Sequence, residues 1–268
     1  MSDNYGAGDI TILEGLEPVR KRPGMYIGGV GKDGLHHLIW EVLDNAVDEA
    51  INGYASSIQV TIEADGKTVA IEDNGRGIPV AKHPRDKAGR STLEVIFTEL
   101  HAGGKFEQGA YRTAGGLHGV GASVVNALSN KLEVRVRRNG KTYLQEFSRG
   151  KPLGGVQELG PGRGTGTWVR FTPDDSIFHD VKFDPKLIAT RLEVKTYLHK
   201  GLKIIFKNET ATEKDDRVQE FRHEGGIVEY LDDLISARSR RKVIDAIFTT
   251  ERDESDGRME ISLTWTEA

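Results

Sequence analysis

Leu35, Leu38, Ile39, Val42, Leu43, Ala46, Val47 and Ala50 recur at spacings of three and four. That period predicts an amphipathic helix over 35–51, ended by Gly53. Directly afterwards the period changes to two. Ile58, Val60 and Ile62 alternate with polar residues, Asp65-Gly66 supplies a turn, and Val69 and Ile71 alternate on the return, so a β-hairpin follows the helix. Ser91-Thr92-Leu93-Glu94 reads as a capping box opening a helix to about Leu100, with Val95, Ile96 and Leu100 facing inward. Val120 to Leu128 is helical behind a glycine cluster, and Leu132, Val134 and Val136 lead through Asn139-Gly140 into Tyr143, Leu144 and Phe147 as a second hairpin. Trp168 to Phe171 predicts a strand, Pro185 to Leu198 a helix and Leu202 to Phe206 a strand. Helices and strands interleave, yet tight turns join several strand pairs. The expected fold is therefore an α/β (α+β) sandwich, a mixed and largely antiparallel sheet covered by helices on one face.

The texture changes after residue 220. Ile227, Tyr230, Leu231 and Leu234 suggest a helix, Arg238 to Lys242 is a basic run, and Ile244 to Thr249 with Glu260 to Thr266 suggest two strands. So few elements make a poor independent core. The expected division is residues 1–220 as one domain and 221–268 as the start of a second.

Composition narrows the function classes. No window approaches the roughly 18 apolar residues of a membrane span, and the N-terminus lacks a signal pattern; a cytoplasmic location is expected. The 268 residues include no cysteine, which excludes disulfides, thiolate catalysis and Cys-ligated zinc. A net charge of −4 argues against a dedicated nucleic-acid-binding face. The 32 glycines cluster in loops that need unusual backbone angles or close approach to a ligand.

Four constellations carry candidate chemistry. On the helix at 35–51, His37, Glu41, Asp44 and Asp48 fall within about 60° of one another, with Asn45 at the edge nearer the core. A solvated polar face is the plain alternative. However, Glu41 and Asn45 one turn apart suit a carboxylate that activates water beside an amide that ligates a hard cation. Second, Asp73-Asn74-Gly75-Arg76-Gly77-Ile78-Pro79 leaves a strand, placing an acid at its end with glycines that let a planar ring approach the backbone. Third, Gly115-Gly116-Leu117-His118-Gly119-Val120-Gly121 precedes a helix and forms an anion cradle suited to a polyphosphate, with Lys105 nearby in His101-Ala102-Gly103-Gly104-Lys105-Phe106. Fourth, Gly164-Thr165-Gly166-Thr167 precedes a strand, and Thr167 offers a hydroxyl to a base. Two decoys fail. Gly29-Val30-Gly31-Lys32-Asp33-Gly34 matches G-x-G-x-x-G, but no strand precedes it and no βαβ unit follows. At Gly104-Lys105 the P-loop pattern fails at Glu99 and Phe106.

In order, Glu41-x-x-x-Asn45, Asp73-x-Gly75-x-Gly77, the 115–121 glycines and Gly164-Thr165-Gly166-Thr167 resemble the four motifs of the GHKL ATPase superfamily. The stretches 19–28, 44–50, 101–106 and 115–121 are similar to those of the B subunits of bacterial type IIA topoisomerases, DNA gyrase and topoisomerase IV. The resemblance covers essentially the whole chain and implies the Bergerat fold followed by a transducer domain.

It also implies roles. Glu41 is the general base with His37 orienting it, and Asn45 ligates Mg²⁺. Asp73 accepts the adenine amino group supported by Thr167, while Gly77, Ile78 and Pro79 line the base pocket. Lys105, Tyr111 and the amides of Gly116, Leu117, His118, Gly119, Val120 and Gly121 hold the triphosphate of ATP. Arg76 and Arg138 flank the mouth, where aminocoumarin-type inhibitors bind. Residues 1–15 form a dimerisation arm, with Tyr5 and Ile10 reaching the nucleotide of a second copy. The remaining implied partners are the gyrase A subunit, in an A2B2 assembly, and DNA, contacted indirectly. Arg238, Arg240, Arg241 and Lys242 either face the DNA cavity or are a solvated run. A transducer lysine that contacts the γ-phosphate in the family falls beyond residue 268, so the expectation is ATP binding with turnover lowered on the order of 10²-fold or more.

Overall fold

A computed structural model of the chain describes residues 13–102, 119–254 and 257–267. Its elements, in order, are α1 (Glu17–Lys21), α2 (Gly24–Ile27), α3 (Lys32–Ile51), β1 (Ser57–Ile62), β2 (Val69–Asp73), α4 (Thr92–Thr98), α5 (Gly121–Ala127), β3 (Ser129–Arg138), β4 (Lys141–Ser148), β5 (Lys151–Pro152), β6 (Gln157–Pro161), β7 (Gly166–Pro173), α6 (Pro185–Leu198), β8 (Lys203–Asn208), α7 (Lys214–Arg217), β9 (Val218–Phe221), α8 (Ile227–Ala237), β10 (Phe248–Glu254) and β11 (Gly257–Leu263). The main sheet runs β5-β4-β3-β7-β2-β1-β8-β9, with β6 beside β4. Its one parallel pair among the described strands is β1 with β8.

One face of this sheet is covered and the other is open. Ile58, Val60 and Ile62 on β1, Val69 and Ile71 on β2, Leu132, Val134 and Val136 on β3, Val169 and Phe171 on β7, and Ile204 and Phe206 on β8 are all buried. They alternate with polar residues, as a half-covered sheet requires. Each fully buried aliphatic or aromatic side chain contributes about 1.5–3 kcal/mol relative to exposure. The open face carries pairs instead: Arg137 with Glu72 at 2.7 Å, Arg170 with Glu63 at 2.6 Å, and the Arg135 guanidinium 4.5 Å from the centre of the Trp168 ring. Asp73 shares parity with Val69 and Ile71 and so points toward the helices, the placement on which the site depends.

Both hairpins form as the sequence predicts. Asp65 Oδ1 accepts from the backbone N–H groups of Lys67 and Thr68, and Asn139 and Gly140 take φ of 54° and 74°, the signature of a type I′ turn. The capping box forms only in half. Ser91 accepts from the Glu94 N–H at 3.0 Å, but the Glu94 carboxylate accepts from Gln145 at 2.8 Å instead of turning back to the cap. A tertiary partner outcompetes the local one.

The last two strands are displaced from their expected positions. β10 and β11 pair from Phe248↔Leu263 to Glu254↔Gly257, so Ile244 and Thr266 fall outside the ladder. The sequence Thr249 to Glu254 is almost wholly polar and gives no alternation to read; the register is imposed by its partner. α8 docks on α6 through Tyr197, whose hydroxyl donates to Asp233 at 2.6 Å and whose ring stacks on His223. No helix among the described residues is long and apolar enough to cross a membrane.

Candidate functional site

α3 brings the first group. His37 Nε2 lies 2.8 Å from Glu41 Oε1, one turn apart. The Glu41 hydrogen bond raises the His37 pKa above its ordinary value, against the opposing effect of burial. The polar row is not the uniform solvated face expected from angles alone, because Asp48 is fully buried while Asn45 is exposed. Asn45 therefore sits toward solvent, not toward the core. The cause is α6, which lies along the row: Lys195 pairs with Asp44 at 2.7 Å, the Arg191 guanidinium stacks 4.7 Å from the Trp40 ring centre, and His199 lies within electrostatic reach of Asp48. Glu41 remains on the flank facing α5.

β2 ends at the second group. Asp73 is 7% exposed, and its Oδ1 accepts from Gly75 N–H at 2.8 Å and Thr167 N–H at 3.4 Å. Burial pushes its pKa up to about 6 despite those two donors; a carboxylate removed from water resists ionisation. Thr167, on β7, accepts from Ile78 N–H through its hydroxyl at 3.3 Å. Ile78 is half-buried and Pro79 exposed, so the turn leads from the strand end to the surface.

The glycines of this turn have a packing role. A Cβ on Gly75 would lie 2.7 Å from Glu49 Oε2, and one on Gly77 would lie 2.7 Å from the carbonyl of Arg137. Gly77 also has φ of 75°, which favours glycine. Their missing side chains make room for neighbouring protein groups.

Glu49 is the residue that motif reading missed. Its carboxylate accepts from Arg76 N–H at 2.9 Å and from the Arg76 guanidinium at 2.7 Å, tying the turn to α3. The signal was available, since Glu41, Asn45 and Glu49 form a row at i, i+4 and i+8. Arg76 additionally lies 3.6 Å from the centre of the Tyr54 ring. Arg138, at the end of β3, donates to the Gly77 carbonyl at 2.6 Å.

α5 closes the third side. Gly119 has φ of 59°, Val120 caps the helix and Gly121 begins it against Glu41. α3 thus carries His37, Glu41 and Asn45, with Glu41 against the start of α5, while the turn after β2 joins Asp73, Gly77 and Ile78 to Thr167 and Arg138 and, through Arg76, to Glu49 on α3. Tyr5, Ile10, Lys105, Tyr111, Gly116, Leu117 and His118 lie outside the described residues. A buried acid at a strand end suits the amino group of a purine, and the start of α5 beside the Glu41 and Asn45 flank suits a phosphate. A hard cation fits the oxygen donors of that flank, because Mg²⁺ takes few protein ligands and completes its shell from phosphates and water.

A separate cluster of ligand-type side chains, His223, Glu229 and Asp233, is already internally engaged. His223 Nδ1 lies 2.7 Å from Glu229 and Asp233 accepts from Tyr197, so it serves as a joint between α6 and α8.

Comparison with known proteins agrees with this geometry. Residues 31–177 match the family model described as histidine kinase-, DNA gyrase B- and HSP90-like ATPase. The chain is 49% identical to the gyrase B protein of Thermotoga maritima over 99% of its own length and 42% of that protein. It is 48% identical to the topoisomerase 4 B protein of Caulobacter vibrioides over 98% of its length and 38% of that protein. Among solved structures, the 43K ATPase domain of Thermus thermophilus gyrase B, crystallised with an aminocoumarin, superimposes with a TM-score of 0.80 at 39% identity, covering 94% of this chain and 62% of that one. The chain therefore spans about two fifths of the length of these two full-length relatives.

Proposed function

The chain belongs to the histidine kinase-, DNA gyrase B- and HSP90-like ATPase family, and from that premise we propose that it is the ATP-binding and ATP-hydrolysing region of a bacterial type II topoisomerase of the gyrase kind, in the position of the gyrase B protein. The observation that carries this reading is Asp73, a buried carboxylate at a strand end whose Oδ1 is held by Gly75 and Thr167. In this reading Asp73 accepts the adenine amino group, with Thr167, Gly77, Ile78 and Pro79 around the base. Arg76 and Arg138 frame the mouth, the place for an aminocoumarin. The amides of 116–121, with Lys105 and Tyr111, hold the phosphates, and Asn45 presents its amide oxygen to Mg²⁺, which offsets phosphate charge when bound.

Catalysis then rests on placement. Glu41 takes the proton of a water aligned with the terminal phosphate, and His37 fixes the carboxylate through its 2.8 Å contact. Little covalent work is required of a protein in phosphoryl transfer beyond positioning and charge stabilisation. Residues 221–268 begin the transducer, residues 1–15 with Tyr5 engage a second copy, and the whole cytoplasmic protein works with a gyrase A subunit on DNA, where ATP-driven dimerisation gates strand passage.

The test separates binding from turnover. Glu41→Ala should retain affinity for ATP and lose hydrolysis under single-turnover conditions, whereas Asp73→Ala should lose binding. Retained ATP affinity in Asp73→Ala would overturn the adenine assignment. Supercoiling against decatenation, assayed in the full-length protein with each A-type partner, distinguishes a gyrase from a topoisomerase IV.

A further inference from the structure

We propose that Gly121 is a positioning residue for Glu41: the missing side chain at the first position of α5 sets where the carboxylate lies. The inference rests on the nucleotide reading above and extends it. A Cβ built on Gly121 overlaps Glu41 Oε2 and lies 3.0 Å from its Cδ and 3.1 Å from its Cβ. The carboxylate must move to admit that Cβ, whereas the 3.1 Å approach to Glu41 Cβ asks for a shift of only a few tenths of an ångström.

Neither helix can retreat easily. Val124, Val125, Ala127 and Leu128 at α5 are buried, Asn126 donates to the Phe97 carbonyl at 2.7 Å, and Leu38, Ile39, Val42 and Leu43 of α3 lie in the same core. Close-packed interiors transmit such strain to the most mobile neighbour. The element that yields is the Glu41 side chain, which is then drawn off His37. Backbone geometry does not explain the glycine: positive φ is found at Gly119 but not at Gly121, and alanine is the better helix former. The glycine is explained by the base beside it.

A thermal double-mutant cycle tests this without any nucleotide. Gly121→Ala should lower the melting temperature by several degrees in the unaltered chain, and by clearly less in a Glu41→Ala background, where the overlap with the carboxylate is gone and only the 3.1 Å approach to the β-carbon remains. By NMR, Gly121→Ala should move the His37 titration midpoint down toward the ordinary imidazole value of about 6.5. At saturating ATP, single-turnover hydrolysis should fall by about tenfold or more. Equal thermal effects in both backgrounds, or an unmoved His37 midpoint, overturn the proposal. If Gly121→Ala does not fold, the double variant should; its failure counts against the proposal as well. Failure of the unaltered chain to bind ATP would sink the nucleotide reading, while the thermal and NMR arms still decide the contact.

Discussion

Arg138 donates from Nη1 to the carbonyl oxygen of Gly77 at 2.6 Å, joining the end of one strand to the turn that leaves another. The bond is charge-assisted and half-buried, so it holds the left-handed Gly77 in place. Arg138→Ala should cost about 1–2 kcal/mol of stability and weaken ATP binding several-fold, because Ile78 and Pro79 follow directly from Gly77. Unchanged affinity with lowered stability would show that the bond supports the fold alone. Calorimetric titration alongside thermal melting makes the distinction.

Asp73 has a folded pKa pushed up to about 6 from 3.8. A raised acid binds protons more tightly when folded, so its stability contribution is fully present below the unfolded value and lost as pH rises between about 4 and 6. At pH 7.5 the ionised, buried carboxylate costs on the order of 3 kcal/mol. Asp73→Asn keeps an acceptor for Gly75 and Thr167 and removes the charge. It should therefore raise the melting temperature at pH 7.5 and flatten its pH dependence between 4 and 6, while abolishing ATP binding. In the unaltered chain, ATP affinity should fall by about tenfold per pH unit below 6, as the acceptor becomes protonated. A flat affinity profile from pH 5 to 7 would exclude Asp73 as the adenine contact.

His37 is held above its ordinary pKa by Glu41. For a base raised in the folded state, the added stability is full below the unfolded value of 6.5 and disappears as pH climbs through the folded one. Both side chains are about a third exposed, so the effect is at most about 1 kcal/mol. His37→Ala should remove that pH-dependent increment and lower turnover roughly tenfold at constant ATP affinity. Equal turnover in the variant would leave His37 no part in aligning the base.

Asp174 is fully buried and accepts from Arg20 at 2.8 Å, Arg149 at 2.8 Å and the Ser176 hydroxyl at 2.8 Å. Although burial opposes ionisation, Arg149, Arg20 and Ser176 together hold its carboxyl well below the usual range. A depressed acid contributes stability above its unfolded pKa and loses it as pH falls below about 3.8. Asp174→Ala strands two guanidiniums and should cost about 3 kcal/mol, with the variant less acid-sensitive than the parent. Chemical denaturation at pH 3 and pH 7 reads both effects.

Apolar spacing along the chain was enough to place most of the periodic elements, and the order of the motifs was enough to point to the family. α3 and both hairpins form where that spacing puts them, because burying an unbroken apolar stripe leaves one solution for each. The ordered Glu41, Asn45, Asp73 and Thr167 motifs also point to the ATPase family to which the chain belongs. What happens around them was settled by packing between distant segments. The burial of Asp48 and exposure of Asn45 depend on α6, which arrives much later in the chain. The clamp of Glu49 on Arg76, the turn of Glu94 toward Gln145, and the protein groups that fill the space beside Gly75 and Gly77 depend on contacts of the same long-range kind. Local periodicity records which face a residue occupies; it carries no record of which neighbour will cover that face.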